Sequence, residues 1–242
     1  MIFDLHKKCS MLYEQKTVSE LFKFTECLTH ELDFATFSIT VIVDHSPYLT
    51  QFQNITNAPS SYLDHYNDPA ECAIDPASQH CKTSSAPIVW NQSTYVEHGV
   101  GWLWERQAQF GYESGLQRAI HLPHGRHLMF GVDCDRPLIS SPRSAKAIVN
   151  DFMVLTPYIQ AVAFELSDIG ARPDGYSELS GLEIDILRWS MGGHNADWIA
   201  KRARLSEQTI HLKISNILKK LDCSTRYEAV VKAIRKGFIV SD

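Results

Sequence analysis

The sequence is poor in the features that announce chemistry. Its six cysteines (Cys9, Cys27, Cys72, Cys81, Cys134 and Cys223) form no CxxC pair, which argues against a zinc ribbon or a thioredoxin-type motif. Its 12 glycines nowhere gather into a phosphate-cradling loop, so nucleotide-driven switching is not expected. The opening Met1-Ile-Phe-Asp-Leu-His runs into charged, mixed sequence instead of a basic-then-apolar leader. No apolar run approaches the ~20 residues that a membrane span needs. With scattered thiols, these points set the expectation of a cytoplasmic protein with reduced cysteines and no membrane partner. Internal repeats, low-complexity tracts and the acidic N-terminal cluster of a phosphorylated receiver domain are missing as well.

What is present is an ordinary globular composition: 242 residues, 44% hydrophobic and 21% charged, enough for two domains with proper cores. The charge is unevenly divided. Residues 176–242 carry eleven Lys and Arg against eight Asp and Glu, a balance of +3, whereas residues 1–175 carry twelve against twenty, or −8. A mildly basic end on an acidic remainder suits a regulator in which only the smaller part meets phosphates.

Along the first part, residues 2–15 and 18–32 read as helices. The β-branched run Phe37 to Val43 reads as a strand, and residues 44–60 as loop with a second strand near Phe52 to Ile55. A helix is expected over Ser60 to Asn67, a strand at Pro87 to Trp90 and a helix over Gly101 to Phe110. Leu116 to Leu122 and His127 to Val132 read as a hairpin. Pro142 opens a long apolar-periodic helix to about Leu166, bent at Pro157 because proline removes a helical donor. The expectation is an α+β protein. Residues 1–168 form an α-β-α sandwich, residues 169–176, with Gly170, Pro173 and Gly175, form a linker, and residues 177–242 form an all-α four-helix domain.

That last domain has the pattern of a helix-turn-helix. Ser180 with Glu183 is a capping box, Gly192-Gly193 stops the first helix, and Asn195 caps a second carrying Ile199, Ala200 and Ala203. Ser206 caps a third helix, in which Ile210, Ile214, Ile217 and Leu221 recur at helical spacing. His211, Ser215 and Lys219 share another face, flanked by Gln208, Thr209, Lys213 and Lys220. An apolar back with a donor-rich front fits a recognition helix, with Asn195 and Arg226 at its edges. An ordinary bundle with a solvated basic face has the same periodicity.

The residues Leu179-Ser180, Glu183, Trp189, Gly193, Ile199-Ala200, Leu205-Ser206-Glu207, Thr209-Ile210, Asn216-Ile217, Lys220-Leu221 and Gly237-Phe238-Ile239 resemble the LuxR-type (quorum-sensing) helix-turn-helix. His194, Trp198, His211 and Lys213 depart from its usual residues, so the DNA preference does not carry over. Thr56-Asn57, Tyr62, Tyr66, Asp75-Pro76, Trp90 and Gly115 likewise resemble the acyl-homoserine-lactone-binding domain of that family. The resemblance implies a transcription regulator, not an enzyme. It implies a protein that dimerises on a pseudo-palindromic double-stranded operator and answers a small signal molecule.

In that reading Asp75 accepts from the ligand amide and Tyr66 donates to its acyl carbonyl. Trp90 walls the lactone, Tyr62 stands where the family has a donating tryptophan, and Leu103 and Trp104 lie beside the acyl tail. Taken singly, Tyr62, Tyr66 and Trp90 are more often core residues than ligand contacts, and Asp75 before Pro76 is most often a turn former. Ala58, Ala77 and Gly131 replace larger or hydroxylated residues. Each lost hydrogen bond costs roughly 0.5–1.5 kcal/mol, so two or three weaken the usual ligand by around two orders of magnitude. The pocket is therefore expected to take an altered lactone or a different small molecule, without a cofactor or metal. The alternative is a ligand-independent anti-activator or heterodimerising regulator with a degenerate pocket. His121, His124 and His127 straddle the hairpin turn and lack metal-helix spacing, and His80-Cys81 with Cys72 lacks an orienting third group for catalysis.

Overall fold

A computed structural model describes residues 2–46, 49–66, 68–123, 125–138, 142–169 and 179–239. They fall into two compact units, one of Met1–Leu122 with Arg126–Ala171, the other from Arg172 onward. The expected linker lies almost wholly outside the described residues.

The first unit begins with α1 (Ile2–Leu12) and α2 (Val18–Glu31), whose N-cap is Thr17 in a capping box with Glu20. Strands β1 (Thr36–Ser46) and β2 (Leu49–Thr56) follow, then α3 (Ser60–Tyr66), α4 (Pro69–Cys72), α5 (Pro76–Thr83), β3 (Ile88–Trp90), α6 (Gln92–Glu97) and α7 (Gly101–Ala108). Strands β4 (Ser114–Leu122) and β5 (Arg126–Cys134) and the long α8 (Pro142–Leu166) complete the unit. The sheet is antiparallel in the order β2-β1-β5-β4-β3. Side chains alternate across it. Phe37, Ile39 and Val41 of β1, with Leu128, Phe130 and Val132 of β5, are buried in a core shared with α1, α2 and α8. The opposite face meets the short helices, α5 and α6 among them, giving the expected α-β-α sandwich.

The structure differs from the sequence reading in three respects. The segment read mostly as loop after Val43 continues β1 to Ser46 and pairs it with a full-length β2, whose polar Thr50, Gln51, Gln53 and Asn54 hide the strand in sequence. Helices α4, α5 and α6 were not expected. Asp75 before Pro76 is an N-cap before an N1 proline, and Asn91 with Thr94 is a capping box, both helix-start signals on segments too short to show periodicity. Lys146–Leu166 is, by length and composition, apolar enough to cross a membrane, against the expectation that no stretch is. Its Phe152, Leu155, Ile159 and Val162 are buried in the core, so the helix is accounted for by packing against the sheet. Within it Pro157 cannot donate to the carbonyl of Met153, and Arg118 Nη1 donates there instead at 3.3 Å.

The second unit has α9 (Gly181–Met191), α10 (Ala196–Ala203), α11 (Glu207–Leu221) and α12 (Arg226–Arg235). Ser180, Asn195, Ser206 and Thr225 each accept a backbone N–H as N-caps. Leu179, Ile186, Ile199, Ile210, Ile217 and Ala233 belong to one core.

Candidate functional site

Strand register decides what the inner face of the sheet presents. One row across three strands is Trp90–Gly115–Asp133, with Thr36 of β1 opposite Asp133. The next is Ile88–Gln117–Gly131–Ser38, and the next Ala119–Met129–Thr40. Gly115 is what allows the first row to close. A Cβ there would lie 2.5 Å from the Val132 carbonyl, 2.7 Å from Asp133 Oδ1 and 2.8 Å from Trp90 Cε2. At Gly131, in contrast, a Cβ would meet nothing nearer than 3.6 Å.

Above these rows lies a chamber of about 30 Å³. Four sequence candidates, Tyr62, Asp75, Trp90 and Gly131, line it together. Asp75 is buried and accepts from Ser78 N at 2.7 Å, Tyr95 Oη at 3.1 Å and Gln107 Nε2 at 3.4 Å. It is therefore both the cap of α5 and a wall of the chamber. Leu103 lines an adjoining cavity with Tyr62 and Asp75, whereas Trp104 turns away and donates from Nε1 to the Glu113 carbonyl at 2.9 Å. Tyr66 ends α3, and its side chain lies outside the described residues.

The sequence reading missed Tyr95, Gln107, Gln117, Thr36, Thr40 and Asp133 in this chamber. Asp133 matters most: burial first, and then the charge of Asp75, push its carboxyl up to about 8. The period of two along β5 from Gly131 points to Asp133, as it does along β1 through Thr36, Ser38 and Thr40. A groove of about 540 Å³ continues the chamber past Thr40 and Met129, flanked by Ile42, Phe52, Cys81 and Ala119.

The other constellations take ordinary places. His121 and His127 are cross-strand partners whose Nδ1 atoms are 2.9 Å apart, with His127 Nε2 3.1 Å from Asp44 Oδ2, and His124 lies outside the described residues. Among the described residues no group of His, Cys, Asp and Glu is arranged to hold a metal. Burial, and then Asp75, push the Cys81 thiol up to about 12, which is the opposite of an activated nucleophile.

On α11, Gln208, His211, Ser215 and Lys219 are exposed, Lys213 is half-buried, and Ile210, Ile217 and Leu221 turn inward. Thr209 is tied to the cap residue, its Oγ1 2.7 Å from Ser206 Oγ. Two basic candidates are already engaged within the unit. Lys220 donates to the buried Glu183 at 2.8 Å, and Arg226 donates to Ser190 Oγ at 2.7 Å and to the His194 carbonyl at 2.6 Å. Asn195 accepts from Trp198 N at 2.9 Å, and Trp198 stacks on His194 with ring centroids 3.6 Å apart. Val230, Ala233 and Ile234 read from sequence as a dimer contact. In the structure Val230 and Ala233 are buried in the unit's own core, Ile234 packs against it, and α12 turns Tyr227 outward.

Comparison with known proteins then decides the family. A model described as "Autoinducer binding domain" matches residues 17–161, and one described as "Bacterial regulatory proteins, luxR family" matches residues 177–233. The chain belongs to the LuxR family. It is similar to the transcriptional activator SolR of Ralstonia nicotianae, with 26% identity over 75% of both chains. The quorum sensing-dependent transcriptional regulator RpaR of Rhodopseudomonas palustris is 24% identical over 88% of this chain and 86% of its own. Among solved structures it resembles Escherichia coli SdiA, at TM-score 0.79 and 19% identity over the whole of both chains. It also resembles SdiA in complex with octanoyl-rac-glycerol, at TM-score 0.78 and 19% identity over 97% and 95%. The chain is thus a LuxR-family quorum-sensing transcription regulator with an autoinducer-binding domain, and not an enzyme.

Proposed function

We propose that this regulator binds double-stranded DNA as a homodimer through residues 177–242. In this reading residues 1–168 sense a small signal molecule, an acyl homoserine lactone or a related ligand, and residues 169–176 link the two. The observation that carries it is the convergence of Tyr62, Asp75, Trp90 and Gly131 on one chamber that opens into an apolar groove. A few placed polar groups at the end of apolar walls are what a small-molecule site needs. Gln208, His211 and Ser215 supply donors to base edges, while Lys213 and Lys219 meet phosphates, with Asn195 and Thr209 at the near edge. Lys220 and Arg226 serve the same surface by fixing α9, α11 and α12 to one another.

Ligand binding then acts as a population shift, favouring the dimer arrangement that does or does not fit DNA. Mass spectrometry of small molecules extracted from the purified chain, with calorimetric titration of lactones of several chain lengths, tests the reading. Saturable one-to-one binding that changes a DNA mobility shift supports it.

The narrowness of the chamber, with room for about two waters, favours a second reading. It is a ligand-independent regulator that acts by heterodimerisation with a related chain. Ligand-free DNA binding by a stable dimer, unchanged by every lactone, selects that reading.

A further inference from the structure

We propose that the inner chamber selects a ligand whose head group is a protonated amine, held between the carboxyl groups of Asp75 and Asp133, with its apolar body in the groove beyond Thr40 and Met129. The inference rests on the small-molecule reading above and names the chemistry of its ligand. Asp133 reaches the chamber because Gly115, its cross-strand neighbour, carries no side chain. The gap is bounded on its other side by the Trp90 indole.

Four observations converge on a cation. The chamber holds two carboxyl groups, and no Lys, Arg or His is among the described residues that line it. Asp75 already accepts three hydrogen bonds, whereas no described residue donates one to the carboxyl of Asp133. Thr40 Oγ1 is buried without a partner, and Thr40 lines both the chamber and the groove, at their junction. Finally, Ala58 and Gly131 contribute no donor beside the two acids.

A primary ammonium answers each point. It brings one positive charge and three N–H donors, enough for Asp133, Asp75 and Thr40, beside an aromatic ring suited to a cation. It is about the size of a water molecule, and the chamber admits about two. A lactone brings one N–H and two carbonyl acceptors, and no positive charge to set between two carboxyl groups. On binding, Asp133 gives its proton to solvent while the ammonium keeps all of its own.

The test compares two probes that differ only in the head, N-octanoyl-ethylenediamine and N-octanoyl-ethanolamine, titrated calorimetrically into the full chain at pH 7. The amine is expected to bind at least about tenfold tighter, a difference near 1.4 kcal/mol. Its binding should release about one proton, read from the heats in two buffers of different ionisation enthalpy. Asp133→Asn should bring the affinity ratio close to one, with its fold checked by circular dichroism. If the ethanolamine binds as tightly as the amine, if no proton is released, or if Asp133→Asn keeps the ratio, the inference is overturned. N-octanoyl-homoserine lactone serves as the third probe. Tight lactone binding without amine binding removes the inference and leaves the sensing reading standing. No binding by any of the three removes the sensing reading itself.

Discussion

Two glycines on the same face of the sheet have opposite tolerances, and the difference is steric. At Gly115 a methyl group would overlap backbone, carboxyl and indole at once, and the Val132 carbonyl cannot move without breaking the sheet. Gly115→Ala is expected to lower stability by about 1–3 kcal/mol, the usual cost of overpacking. Gly131→Ala finds ordinary contact distances and should be neutral or stabilising by up to about 1 kcal/mol, since glycine weakens a strand. Urea titrations of the two variants check both, and equal losses would contradict the account.

Asp133 makes a prediction in pH. Its folded-state carboxyl stands at about 8 while an unfolded carboxyl titrates near 4, so the folded chain holds the proton more tightly. The corresponding stability is complete below about pH 4 and is lost as pH rises towards 8. The groups facing Asp133 are Asp75 at the head of α5, Tyr95 on α6 and Tyr112 before β4, and no cation balances them among the chamber's described walls. Asp133→Asn should therefore come nearest to the parent in thermal midpoint at pH 4 and exceed it by a margin that grows to several degrees by pH 8. A constant difference across that range would show that Asp133 is not the group responsible.

At the scale of elements, α11 separates residues that can meet DNA from residues that hold the helix in place. Burial alone would push the Glu183 carboxyl up, but Lys220 and the backbone and hydroxyl of Ser180 outweigh it and hold it below the usual range. Lys220→Met should thus cost about 1–3 kcal/mol of stability by stranding a buried acid. It should leave the slope of DNA affinity against salt unchanged. Lys213→Ala and Lys219→Ala should each lower that slope by about one with little loss of stability, as expected for phosphate contacts. The same element shows how far sequence could reach. The N-caps Ser180, Asn195 and Ser206, the apolar stripe and the exposed donors of α11 are local features, and they were legible. That Lys220 and Arg226 turn inward depends on Glu183 and His194, which lie 37 and 32 positions away in the chain, and no helical period reports such a pairing. Asp133 was hidden for the same reason. It follows Val132 in an unremarkable strand, and only its register against Gly115 brings it beside Asp75.

On the scale of the whole molecule, the proposed reading takes DNA affinity from the end whose charge balance is +3 and its control from the acidic remainder. In that reading a +3 segment binds weakly as a single copy and gains useful affinity from two copies on one duplex. The two recognition helices of a two-fold dimer reach successive major grooves, which places half-site centres one turn apart, about 34–36 Å or 10 base pairs. Selection from a random DNA pool by the purified full chain should therefore return pseudo-palindromes with that spacing. Inserting five base pairs between the halves turns one half-site to the opposite side of the duplex, and binding should fall towards that of a single half-site. Inserting ten restores the facing and should recover part of the loss. Selected sites without internal symmetry, or affinity indifferent to the five-pair insertion, would mean that the chain reads DNA one copy at a time.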